Sequence, residues 1–499
     1  MMIPTLRNSI TVAGLFTIFC ASQVHAQTPD ASTTTKGITK LSTAPVVSTN
    51  PIAVGDNDPR ANVYQNINSF GAIGDGTTDN STALQNAINA GYAVIVPSGT
   101  FNFSTTLTLK KDSIIVGTGK KSVLQYTGLG VALREAVGSF TGGYDNLKLM
   151  NFTLSTNNHA TTGIELTNTY QVTIQGLYVD GTTNGFSTAG IHVIGSNQTK
   201  PPRNAAVIRI TDGEVWNCTG DGIRISGSTQ ANGLWIEHNH ITSNSGFGID
   251  QTIVPTPYPA SNLHVAYNVI EGNVAGGINA DSLYASSIVG NYFENAAGST
   301  VSLIKIGTQG FALGLNISEN LFGGASASYN IDMSSSSDVT GVISNNTFNG
   351  YSAAAIRATN ARGLVVLNNT LLGSVQTVIE LGSAARSIWV QDKDSAAYYS
   401  GSAAAKPNLR LDGRMQFGGT GAAFPALKNN GAALETKLAD DSGYAQHTAL
   451  SFKQSSGPTW TSAAGAPAGA CTTGSLYSRT DGGVNSTLYV CQAGAWTAK

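Results

Sequence analysis

Short apolar runs in which inward and outward positions alternate, each closed by Gly, Asn, Ser or Thr, fill the chain from Val63 to about residue 402. Alternation of this kind predicts β-strands. Two registers recur. The first is apolar-x-x-Asn-x-apolar: Ile236…Asn239…Ile241, Val265…Asn268…Ile270, Ile288…Asn291…Phe293, Ile317…Asn320…Phe322, Ile343…Asn346…Phe348 and Val366…Asn369…Leu371. Their starts lie 29, 23, 29, 26 and 23 residues apart. Leu149, Ile174 and Ile210 occupy the same apolar position without the Asn. The second register is an inward Ile followed by an outward residue, at Ile164, Ile191, Ile223, Ile249, Ile278, Ile304, Ile331, Ile356 and Ile379. Interleaved repeats with an irregular period predict a solenoid whose coils each hold three short strands, with insertions in the turns. The Asn column is expected to be a stacked amide ladder, each side chain bonding its neighbours along the axis. A single helix is predicted near residue 80, where Thr78 or Asp79 can cap it and Leu84, Ala87 and Ile88 form one apolar face.

The helix sits inside a longer signature. Phe70-Gly-Ala-Ile-Gly-Asp-Gly-Thr-Thr-Asp79 leads into Ala83-Leu-Gln-Asn-Ala-Ile88, and Tyr92-Ala-Val-Ile-Val-Pro97 and Gly99-Thr-Phe101 follow. This stretch resembles the N-terminal cap of the pectate-lyase-like superfamily, which includes rhamnogalacturonases, polygalacturonase relatives and phage tailspikes. The resemblance implies an all-β, right-handed parallel β-helix with an N-terminal cap helix. Asp75 and Asp79 are then turn and cap residues rather than catalysts.

Composition agrees. Charged residues are 11% of the chain, against about 25% in an average globular protein. Apolar residues reach 41%, which argues against disorder. A net charge of −2 supplies no basic footprint for nucleic acid. Residues 1–26 read as a secretory signal, with Arg7, the apolar stretch Ile10 to Ala21 and the small-residue site Val24-His25-Ala26. That stretch is shorter than the roughly 20 residues of a transmembrane helix, so export without membrane insertion is expected.

Residues 27–60, rich in Thr, Ser and Pro, read as a linker, and residues 61–402 as the β-helix. Short neck-like β-segments are expected over 403–455, and a small β-module over 456–499. The module holds Tyr477, Tyr489 and Trp496 around Asp481-Gly-Gly483. It would be a trimer-forming tip or a sugar-binding appendage, its aromatics serving mainly as packing. Cys471 and Cys491 are expected to pair, leaving Cys218 as a small buried hydrophobe.

The candidate chemistry follows from the second register. With each Ile inside, the next residue points out, and stacked coils align Glu165, His192, Arg224, Asp250, Asn279, Lys305, Asp332, Arg357 and Glu380. Two residues further along, Asp281 falls one coil from Asp250, about 8 Å away by strand geometry. That separation lies in the roughly 6.5–9.5 Å range of an inverting glycosidase pair. Arg224 and Lys305 flank the carboxylates and suit acidic sugar groups. His192, Asn279 and, from the long turns after these strands, Arg203 and Tyr258 complete the expected substrate contacts. Asp221-Gly222-Ile223 looks like one element of a polygalacturonase site, and Asp221 joins the catalytic candidates on that ground. The next coil has Phe247-Gly248 where that family carries paired aspartates, and no Gly-His-Gly follows.

A rival cluster is Asp212, Glu214, Trp235, Glu237, His238, His240 and His264, whose spacing does not fit a metal site. No metal or cofactor is implied; isolated aspartates do not indicate a calcium cage. Three functions remain open: a secreted glycoside hydrolase, a polysaccharide lyase in the same groove, and a non-catalytic, tailspike-like glycan-binding adhesin, with a homotrimer as the assembly the last implies.

Overall fold

The computed structural model describes residues 64–391 except 91–92, 136–144, 183, 196–204, 228–230, 254–259, 297, 308–309, 324–326, 373–376, 383–384 and 386–387. It also describes strands and a few single positions between 414 and 453, and residues 457–499. The linker and signal expectations lie outside the described residues.

The alternating runs form a parallel β-solenoid of about 11 turns with almost no helix. Three sheets hold 14, 12 and 11 strands. The first runs from Tyr64–Asn66 to Trp389–Gln391, the second from Asp75–Asp79 to Thr370–Leu371, the third from Leu107–Leu109 to Ile379–Leu381. Every strand pairs with those one coil before and after, so a residue's neighbours are its counterparts in the repeat. The nine isoleucines of the second register are at most 1% exposed and stack in register inside the third sheet.

The amide ladder is present. Asn239, Asn268, Asn291, Asn320 and Asn346 each donate from Nδ2 to the Oδ1 of the next Asn at 2.9–3.1 Å, ending on Asn369. Each also donates to a backbone carbonyl of the preceding coil, as Asn291 does to Val265 at 2.8 Å. A tight turn feeds each rung, and the residue before each Asn takes a positive φ: His238 56°, Tyr267 55°, Glu319 60°. Bulky residues rarely adopt that conformation, so the repeated bonds of the turn hold it. At Gly290 a Cβ would lie 2.6 Å from the Tyr267 ring, so glycine is required there. A second rung pair, Asn244 Nδ2 to Asn273 Oδ1 at 2.8 Å, was not foreseen from the sequence.

Helix α1 spans Ser81–Asn89 and buries Leu84, Ala87 and Ile88. Asp79 stands one residue before the N-cap and accepts the Ser81 N–H at 2.9 Å. Asp75 accepts the N–H groups of Thr77 and Thr78 at 2.8 Å, and those bonds hold its carboxyl well below the usual range. Both aspartates serve the turn.

Past the solenoid, Arg414–Gln416, Pro425–Asn430 and Ala433–Leu438 form an antiparallel sheet. A five-stranded sheet runs from Ser451–Lys453 to Ala495–Ala498, stapled by a Cys471–Cys491 disulfide. Tyr477 meets Tyr489 and Trp496 edge-on, at 6.2 and 5.9 Å between ring centres. Cys218 is a buried free thiol, its pKa pushed up by burial and by the charges of Asp180 and Asp221. Among the described residues no helix is long and apolar enough to cross a membrane.

Candidate active site

The outward column of the third sheet is assembled rung by rung. Arg134, Glu165, His192, Arg224, Asp250, Asn279, Lys305, Asp332, Arg357 and Glu380 are successive register partners. Its ends are neutralised locally. Arg134 pairs with Glu165 at 2.7 Å and Arg357 with Glu380 at 3.8 Å, where the Tyr329 hydroxyl also donates to Glu380 at 2.6 Å. The middle differs, because there the carboxylates are buried.

Asp221 opens the Asp221–Gly227 strand and is 7% exposed. Its Oδ1 accepts the Phe247 N–H at 2.8 Å, and its Oδ2 lies 3.5 Å from Arg224 Nη1. The approach depends on residue 246 being glycine, since a Cβ there would sit 2.2 Å from Asp221 Oδ1. Asp250 is 5% exposed. It accepts the Asn279 amide at 2.7 Å and the Thr252 hydroxyl at 3.5 Å, with Arg224 Nε 3.9 Å away.

One guanidinium thus stands within reach of two buried carboxyls. Burial first, and then the charge of Asp250, push the Asp221 pKa up to about 6; the Phe247 N–H and Arg224 oppose the shift. A carboxyl with that pKa is half protonated near pH 6, well above the usual carboxylate range. His192, one coil below Arg224, bonds Ser226 Oγ through Nε2 at 2.7 Å. Burial and then the Arg224 charge lower its pKa to about 4, so its ring is neutral at pH 7. Lys305 Nζ lies 5.9 Å from the centre of the Phe247 ring.

Asp281 falls one residue past the Gly276–Ala280 strand, 8% exposed, with its N–H donated to the Gln251 carbonyl at 2.9 Å. The contacts that tie carboxyl to carboxyl run between Asp221 and Asp250. Thr252 joins the site unannounced; its only signal was an outward position two residues after Asp250. Arg203 and Tyr258 lie outside the described residues.

The rival cluster is divided between elements. Arg209, Trp235 and His264 stack on the first sheet, with 4.5 Å from guanidinium to indole and 5.7 Å from indole to imidazole. His238 and Tyr267 stack on the turn at 5.3 Å. Glu214 and His240 belong to the second sheet, where His240 reaches Glu214 at 3.4 Å and Glu271 at 2.9 Å. These rings cover one another's faces along the axis. Among the described residues no group of three or more His, Cys, Asp or Glu is placed to hold a metal ion.

Residues 64–301 match the family model described as "Rhamnogalacturonase A/epimerase, pectate lyase-like". The preneck appendage protein of Bacillus phage PZA is 35% identical over 96 residues, 18% of this chain and 11% of the phage protein. The match to the pre-neck appendage protein of Bacillus phage phi29 has the same extent. Among solved structures, PfbA, a surface adhesin of Streptococcus pneumoniae, shares 14% identity, with a TM-score of 0.50 over 75% of this chain and 98% of its own. DFA-IIIase from Arthrobacter chlorophenolicus A6 in complex with GF2 shares 13%, with a TM-score of 0.50 over 70% of this chain and all of that one. At such identities the likeness is one of fold.

Proposed function

We propose that the protein, whose residues 64–301 match a pectate-lyase-like family model, binds a polysaccharide along the third sheet and hydrolyses its glycosidic bonds. The observation that carries this reading is the buried Asp221–Asp250 dyad under Arg224, with a pKa near 6 on Asp221. A carboxylic acid still protonated close to neutral pH is what protonation of a glycosidic oxygen requires. Asp221 delivers that proton as the C–O bond breaks, and the bonding pair leaves with the oxygen. Asp250, under the same guanidinium, lies beside the developing positive charge. The attacking water passes its proton to solvent as the new C–O bond forms. Asp281 pairs by strand geometry with Asp250, at about 8 Å, but lies two coils and five residues from Asp221, too far to act as base opposite that acid.

Arg224, Asn279, Lys305 and His192 face the same groove, and in this reading Arg203 and Tyr258 are further substrate contacts. In the same reading the coil is right-handed, α1 is its N-terminal cap, and the chain is secreted after cleavage behind Ala26. It needs no metal or cofactor and can assemble as a homotrimer.

One observation favours β-elimination as the second reading: a neutral imidazole, His192, beside a cation, Arg224, fits proton abstraction next to a sugar carboxylate. Its low basicity weighs against it as the base. Reducing-end release from a panel of acidic and neutral polysaccharides, read together with the ultraviolet absorbance of unsaturated uronates, separates the outcomes. Reducing ends without absorbance, abolished by Asp221→Asn, support hydrolysis. Absorbance supports elimination, and glycan binding with neither signal supports an adhesin.

A further inference from the structure

Two carboxyls in contact divide one proton, and the donors around them decide where it rests. Arg224 reaches both, at 3.5 Å to Asp221 and 3.9 Å to Asp250, and so does not choose between them. Asp221 has one short bond, from the Phe247 backbone at 2.8 Å. Asp250 has one short bond too, from a side chain: Asn279 Nδ2 at 2.7 Å. Thr252 adds a long contact at 3.5 Å to the other Asp250 oxygen.

An amide nitrogen donates and cannot accept, so the Asp250 oxygen it meets is held as an acceptor. Asn279 is 9% exposed and lies directly one rung above Asp250, with Lys305 on its far side. One of its two N–H groups is therefore committed to Asp250.

We propose that Asn279 is a positioning residue that holds Asp250 as the ionised member of the dyad and so leaves the transferable proton on Asp221. This rests on the reading that the dyad is the general acid. It makes the polarity of the dyad a property of the coil above it, set by one side chain that touches neither the glycosidic oxygen nor the attacking water.

The test is the pH profile of kcat/KM for Asn279→Ala and Asn279→Gln, with carboxyl-carbon NMR of both aspartates in the full chain. In Asn279→Ala the acid-side limb should move up by about one pH unit, the size of shift expected when a hydrogen bond to a charged group is lost. The maximal kcat should fall at least tenfold with KM nearly constant. Asn279→Gln, which keeps an amide donor, should return the limb most of the way. At pH 5 the resonances should place the proton on Asp221 in the native protein and spread it over both residues in Asn279→Ala.

A raised KM with an unmoved limb would make Asn279 a substrate contact and overturn the proposal. So would an unchanged distribution of the proton in the NMR titration, which needs no substrate. Full activity in both Asp221→Asn and Asp250→Asn would instead sink the dyad as the acid, a failure distinct from that of Asn279.

Discussion

Two clusters of carboxylate, imidazole and cation ride on the same solenoid, one on the third sheet and one on the second. On the second, Glu214 and Glu271 face His240 and Lys120, with Lys120 also lying 4.4 Å from the Tyr178 ring centre. Side-chain exposure there is 56% for Lys120, 40% for His240 and 35% for Glu271, with Glu214 at 14% held by Lys120 at 2.8 Å. On the third, the Asp221 and Asp250 side chains are 10% and 6% exposed, with one Arg between them. Residue types hardly distinguish the two. The sharing of cations does: Glu214 has its own lysine, whereas on the third sheet two buried carboxyls share one guanidinium, and burial with the Asp250 charge raises the Asp221 pKa to about 6.

The largest effect that would break the comparison is catalytic. Asp221→Asn and Asp250→Asn should each lower kcat on the responsive glycan by 10²–10⁴-fold, the usual worth of a placed acid or base. His240→Gln and Glu271→Gln should change it less than about threefold. Reversal of that order in a reducing-end assay would transfer the active site to the second sheet.

Next in size is stability. A carboxyl whose folded pKa is raised from 3.8 to about 6 takes up protons on folding, so its contribution worsens as pH rises from about 4 to 6. Asp221→Asn keeps an acceptor for the Phe247 N–H and removes the buried charge. At pH 7 it should therefore gain about 2 kcal/mol, read by urea unfolding, while costing activity. A loss of stability there would mean that Arg224 needs the negative charge more than burial resents it. Glu214→Gln, on the second sheet, should stay within about 1 kcal/mol of the native protein and lose even that in high salt.

Much of the third sheet was legible beforehand because period-2 alternation and the coil period are geometric: once Ile223 and Ile249 point in, Arg224 and Asp250 must neighbour each other. The Asn ladder was legible for the same reason. What alternation does not encode is where a strand stops. Outward parity pairs Asp281 with Asp250, whereas Asp221, which shares Arg224 with Asp250, opens its strand at a position whose parity reads as inward. The clue was Gly246, a residue whose missing Cβ makes room for a carboxyl from the coil below. It was seen only as one glycine among many. The rival cluster is dispersed because His238 and His240, near in sequence, part at the ladder turn: His238 stays on the turn and His240 begins a strand of the second sheet.

The smallest predicted effect is the one that isolates the two titrating groups of the third sheet. His192 has its pKa lowered from 6.5 to about 4, so the unfolded chain binds the proton more readily between those values. Its contribution is therefore fully present above pH 6.5 and fades as pH falls toward 4. Discounted for partial exposure, it amounts to about 1 kcal/mol. Asp221 slopes the opposite way across nearly the same window, so the native protein should show a shallow dependence of unfolding free energy between pH 4 and 6.5. His192→Asn removes the rising component, and stability should then fall by about 1 kcal/mol more steeply across that window. Asp221→Asn removes the falling component, and stability should then climb with pH. Identical slopes in all three proteins would show that neither group differs between folded and unfolded chains. The sharing of one cation that sets the third sheet apart from the second would then carry no electrostatic consequence, and the case for a proton held at Asp221 would fall with it.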